Sequence, residues 1–122
     1  MTATSIGPPT SDLVSVTVSQ IDRAVRLTVT GEVDSSSAGV LHTRIEDALT
    51  TDVEELTVDL IGVTFLDSAG LCALATAHRR AGETGVRLRV LAANRAVIRP
   101  LQITGLWGLL GVEQVDPGAD VA

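Results

Sequence analysis

Val14, Val16 and Val18 alternate with Ser15, Thr17 and Ser19, the two-residue period of a strand with one buried face. After a turn at 21–24, Val25, Leu27 and Val29 alternate with Arg26, Thr28 and Thr30, which predicts a second strand paired antiparallel to the first as a hairpin. The period then changes. Leu41, Ile45, Ala48 and Leu49 fall at i, i+4, i+7 and i+8, so a helix is expected from Ser35 to about Thr51, with Asp34 as its N-cap. Leu56, Val58 and Leu60 predict a third strand, and residues 61–67 a loop or a bent strand end. A second helix is expected to start at Asp67-Ser68 and run to about Gly82. Its apolar stripe is Leu71, Leu74, Ala75 and His78, and Gly82 or Gly85 stops it. Val86, Leu88, Val90 and Ala92 make a fourth strand. Asn94 caps a third helical stretch in which Pro100 should kink the helix or delay its start. Residues 105–110 predict a short last helix or turn, and 111–115 a small edge strand.

Strands covered on both faces are continuously apolar, whereas these alternate. One sheet face should therefore be polar, carrying Arg26, Thr28, Thr57, Asp59, Arg87 and Arg89, with every helix on the other face. The expected architecture is a two-layer α/β domain with a mixed sheet of four to five strands. The Thr/Ser/Pro-rich residues 1–12 are expected to be a flexible arm, 13–115 the domain and 116–122 a flexible tail.

Composition narrows the chemistry. The 122 residues are 45% hydrophobic, enough for one packed core. With 9 basic and 15 acidic side chains the net charge is −6, which argues against nucleic acid or an anionic membrane as partner. All basic residues are arginine. Without lysine there is no phosphate-binding P-loop, no Schiff base and no protein-kinase catalytic strand. Cys72, His42 and His78 lack metal-site spacing, so neither a metal nor a cofactor is expected. The first twelve residues do not have the make-up of a signal peptide, and no apolar run approaches the ~20 residues of a membrane span. A soluble cytoplasmic protein is expected.

Enzymatic readings fail on geometry. Leu66-Asp67-Ser68-Ala69-Gly70 lacks the first glycine of a nucleophile elbow. His78 would sit ten residues down the same helix as Ser68, beyond hydrogen-bond reach at ~1.5 Å per residue. A phospho-accepting aspartate domain would need a lysine and a sheet covered on both faces. Trp107 is expected as a core or rim anchor, His78 as a packed helix histidine and Cys72 as a buried thiol.

The segment Asp67-Ser68-Ala69-Gly70-Leu71 is different. With Asp67 as N-cap, Ser68 takes the first helical position, where its hydroxyl is spared from capping and points to solvent. A helix start offers free N–H groups that tolerate an anion, so Ser68 is a candidate phosphorylation site for another protein's kinase.

VDLIGVTFLDSAGL, residues 58–71, resembles the signature of STAS domains, specifically of bacterial anti-sigma factor antagonists. Thr30-Gly31-Glu32-Val33-Asp34 and Ile103-Thr104-Gly105-Leu106 are similar to two further family segments, in the right order. The resemblance implies a mixed sheet with helices on one face. It implies a protein that binds an anti-sigma factor when unphosphorylated. That partner, itself a serine kinase, would switch the protein off by phosphorylating Ser68, and a metal-dependent serine phosphatase would restore it. The implied contact surface is Glu32, Asp34, Asp67, Ser68, Ala69, Gly70 and Leu71. The same fold also serves as transporter subunit, stressosome component and nucleotide- or ligand-sensing module, and these remain alternatives.

Overall fold

The computed structural model describes residues 13–50 and 52–116. The expected arm at 1–12 and all but the first residue of the expected tail lie outside the described residues. Strand β1 (Val14–Ile21) and strand β2 (Ala24–Val33) form the expected antiparallel hairpin, closed by the two-residue turn Asp22-Arg23. Helix α1 (Ala38–Ala48), strand β3 (Glu55–Leu66), helix α2 (Ser68–Thr84) and strand β4 (Arg87–Ala92) follow. Helices α3 (Arg95–Ile103) and α4 (Leu106–Leu110) lead to strand β5 (Glu113–Gln114). The sheet has the order β1-β2-β3-β4-β5, and every pair after the hairpin is parallel. Parallel neighbours require a crossover, and α1, α2 and the α3–α4 pair supply the three.

Alternation decides the layers. Val25, Leu27 and Val29 of β2, Leu56, Val58 and Leu60 of β3, and Val90 and Ala92 of β4 are buried in one apolar cluster. The same cluster holds Leu41 and Ile45 of α1, Leu74 and Ala77 of α2, Val97 and Leu101 of α3, and Leu110 of α4. None of Arg26, Thr28, Thr57, Asp59, Arg87 or Arg89 belongs to it. The helices thus share one face of a mixed five-stranded sheet, as the patterns predict.

Several expectations need correcting. Thr57 and Asp59 lie on the expected polar face and are nonetheless buried there. Thr57 stands in register between Arg26 and Arg89. The Arg26 guanidinium closes on Asp59, Nη2 to Oδ2 at 2.6 Å. Helix α1 begins at Ala38 rather than Ser35, because Asp34, Ser36 and Ser37 bond one another in a turn before it. It ends at Ala48, short of the expected Thr51. Residues 61–66 are strand, the bent-end alternative. Register shifts between Thr28 and Thr30 and between Gly31 and Glu32 break the β2–β3 ladder, so Leu60, Val63 and Leu66 can all be buried despite odd spacing. His78 and Cys72 are exposed, and Leu71 and Ala75 only partly buried. The buried face of α2 is instead Gly70, Ala73, Leu74, Ala77 and Ala81. Small residues let the helix lie close to the sheet, but they weigh little in a hydrophobic pattern. Pro100 lies within α3 without delaying its start. Asn94 accepts the Ala96 N–H at 2.8 Å, and the missing Pro100 N–H removes only the bond to the Ala96 carbonyl.

Candidate partner-binding site

The parallel pair β2–β3 places its two C-terminal ends side by side, with Glu32 opposite Phe65 and Val33 opposite Leu66. The chain leaves β3 directly into α2, and the Asp67 N–H donates to the Val33 carbonyl at 3.1 Å. The segments 32–34 and 67–71, far apart in sequence, are therefore joined by backbone. Crevices at the carboxyl ends of parallel strands are where α/β folds present binding residues.

Asp67 is the N-cap. Its Oδ1 accepts the Ala69 N–H at 2.9 Å and the Gly70 N–H at 3.4 Å. Ser68 follows at the first helical position. It is exposed, and among the described residues its hydroxyl has no hydrogen-bond partner. Ala69 and Leu71 are half-buried, each packed partly on the core. Gly70 is buried, and a Cβ there would stand 2.3 Å from Leu66 Cδ1 and 2.9 Å from Val33 Cγ1. Its place in the segment is thus structural, letting α2 seat its first turn against both strand ends.

The facing segment is built differently. Gly31 has φ +103°, and a Cβ there would lie 2.1 Å from the Leu13 carbonyl oxygen, which itself accepts the Glu32 N–H at 2.8 Å. Glu32, next in β2, is exposed. Asp34 Oδ1 accepts the Ser36 N–H at 2.8 Å, the Ser36 hydroxyl at 2.7 Å and the Ser37 N–H at 3.2 Å. Those bonds, the Ser36 hydroxyl's above all, hold the Asp34 carboxyl below the ordinary carboxylate value. Glu32, Asp34 and Asp67 make no ion pair among the described residues, so the rim around Ser68 is acidic. All seven residues singled out from the sequence fall in these two joined segments.

Phe65 was missed by sequence reasoning. It is the chain's one phenylalanine, 46% exposed, in register with Glu32 at the edge of this surface. Its place in a stretch expected to be a loop or a bent strand end, without regular alternation, hid it. A lone aromatic two positions before the Asp-Ser pair was the available signal. Among the described residues no group of three or more His, Cys, Asp or Glu side chains is placed to hold a metal, and no helix is long and apolar enough to cross a membrane.

A one-sided mixed sheet with this loop pair at its carboxyl end defines a class. The family described as "Mlab, STAS domain" matches residues 16–111, and the chain belongs to the STAS domain family. Among its relatives is the anti-sigma-F factor antagonist RsfB of Mycobacterium tuberculosis, 32% identical over 95 residues, covering 78% of this chain and 77% of RsfB. RsfA of the same organism, also an anti-sigma-F factor antagonist, is 29% identical over 119 residues, covering 96% and 93%. The crystal structure of an anti-sigma factor antagonist from Mycobacterium paratuberculosis superposes with a TM-score of 0.76 at 29% identity, covering 84% of this chain and 87% of that one.

Proposed function

We propose that this chain is an anti-sigma factor antagonist, working in the cytoplasm, that binds its anti-sigma factor through the segments 32–34 and 67–71 and is switched off by phosphate on Ser68. The observation that carries this reading is the Ser68 hydroxyl, exposed and, among the described residues, unbonded at a helix start whose capping is done by Asp67. The names of RsfB and RsfA support it. The acidic rim fits a partner face whose basic groups are matched to Glu32, Asp34 and Asp67 and which leaves no cation opposite the neutral Ser68 hydroxyl. The kinase is the anti-sigma factor itself, and a metal-dependent serine phosphatase reverses the modification.

Phosphate adds about −1.5 to −2 charges at neutral pH. Within the fold it meets the free N–H groups of the α2 start, which tolerate an anion. At the partner face it must be desolvated beside Glu32, Asp34 and Asp67. Partial burial of an unpaired charge costs several kcal/mol, and ~1.4 kcal/mol is already tenfold in affinity. Phosphorylation therefore releases the partner without unfolding the antagonist. The experiment is a titration of wild type and Ser68→Ala against the anti-sigma factor, with and without ATP, with the phosphate mapped by mass spectrometry. Wild type should lose affinity with ATP and Ser68→Ala should keep it. Phosphate on another residue, or equal ATP sensitivity in both, overturns the reading.

A further inference from the structure

The two edges of the sheet are unlike each other. On one side β5 is two residues long, and its Glu113 is held by Arg89 through two bonds of 3.0 Å, Nε to Oε2 and Nη2 to Oε1. A short strand carrying a charge is a protected edge. On the other side β1 runs for eight residues, VSVTVSQI, with no charge, no proline and no bulge in its pairing with β2. All of β1 except Val14 and Val16 is exposed, Val18 at 48% and Ile21 at 77%. Such an edge is a template for another strand.

The ladder fixes which groups it offers. The Leu13 carbonyl accepts the Glu32 N–H, so the odd-numbered residues of β1 bond to β2. The N–H and C=O groups of Val16, Val18 and Gln20 therefore point away from the sheet. Their side chains lie on the helix face, opposite Val29, Leu27 and Val25 in register. Val18 and Gln20 line a cavity of about 460 Å³ together with apolar residues such as Leu27 and Val53 and with Arg44 and Asp47.

We infer that the β1 edge joins a second copy of this chain, strand to strand and antiparallel, about a twofold axis at Val18. The strand is complementary to itself in that register. Val18 meets its own symmetry mate, Val16 meets Gln20, and Thr17 meets Ser19, so each side chain stays on its own face and no charge lies among these pairs. The twofold brings the two cavities together on the helix side, and the pairing covers the exposed Val18 of each copy. An unrelated strand would have to match the same alternation by chance, whereas the second copy does so by symmetry. The edge lies on the far side of β2 from β3 and α2, so the Ser68 surface stays open in the dimer.

The test is sedimentation of the full chain from about 1 µM to about 1 mM, with amide exchange followed over the same series. A reversible monomer–dimer equilibrium is expected, with the N–H groups of Val18 and Gln20 gaining protection as dimer forms. Val18→Lys, a change at an exposed position, sets two ammonium groups face to face on the axis and should weaken the dimer at least about tenfold. A chain that stays monomeric throughout overturns the inference. So does a dimer that Val18→Lys leaves intact, or one whose formation leaves the Val18 and Gln20 amides unprotected.

Discussion

The chain leaves the same end of the sheet at Asp34, in a turn before α1 whose N-cap is Ser37, and at Asp67, the N-cap of α2 itself. In each an aspartate Oδ1 accepts the N–H groups two and three residues on, from Ser36 and Ser37 after Asp34, and from Ala69 and Gly70 after Asp67. The serines within the two starts have opposite fates. Ser37 is fully buried: its hydroxyl accepts the Asp34 N–H at 2.9 Å and donates to the Glu32 carbonyl at 2.8 Å. Ser68 is exposed and bonds nothing among the described residues. At the first start serines close the turn. At the second Ala69 and Gly70 take the corresponding places, and the aspartate caps alone. The lesson is that a serine becomes available for chemistry when its neighbours relieve it of structural work.

The largest expected difference between the two lies in partner affinity. Ser68 phosphorylation should weaken anti-sigma factor binding about a hundredfold, because several kcal/mol of uncompensated desolvation fall on one small contact. Ser68→Asp, with less charge and bulk, should cost about tenfold while leaving the thermal midpoint nearly unchanged. Calorimetric titration checks both, and a Ser68→Asp variant that binds like wild type would break the contrast.

Next comes stability. Ser37→Ala strands the Asp34 N–H and the Glu32 carbonyl, which should cost about 1–3 kcal/mol, whereas Ser68→Ala should stay within about 0.5 kcal/mol of wild type. Urea denaturation of the two variants side by side measures the difference, and equal losses would show that burial does not separate these serines.

Gly70→Ala probes the seating of α2. The added methyl meets the buried Leu66 and Val33 side chains, and overpacking of this kind should destabilise by about 1–2 kcal/mol. Thermal unfolding would register it as a lower midpoint. An unchanged midpoint would mean that α2 can lift off the strand ends freely.

The smallest effect is in pH. The Asp34 carboxyl is held below its ordinary value, chiefly by the bond it accepts from the Ser36 hydroxyl. A depressed carboxylate contributes stability above its unfolded value, about 3.9, and loses it as pH falls through the folded one. The gap in stability between wild type and Asp34→Asn should therefore be constant from about pH 5 to 8 and narrow below about pH 4. A gap that does not change between about pH 5 and pH 3 would show that the Asp34 carboxyl is not held below its ordinary range. Because the group is exposed, the effect is small.

Much of this was legible beforehand. The hairpin, the one-sided sheet and the N-caps Asp67 and Asn94 all follow from short-range rules, since side-chain period and capping chemistry act over a few residues. The Asp67-Ser68 pair was legible for the same reason. The α2 stripe was misjudged because Gly70, Ala73, Ala77 and Ala81 carry little hydrophobicity and yet are what the sheet selects for close approach. Phe65 was missed because its strand continues through two register shifts that only pairing with β2 produces.

Short-range patterns in the chain settle the elements, the buried faces of the strands and the Asp67 cap before Ser68, because each rests on contacts between near neighbours. Folding alone joins the segment 32–34 to the start of α2, through the Asp67 to Val33 backbone bond, and buries Thr57 and Asp59 on a polar face. It also left one sheet edge short and charged and the other long and neutral. These outcomes depend on which strands become neighbours, a choice made by burying the whole apolar cluster at once and visible in no single segment.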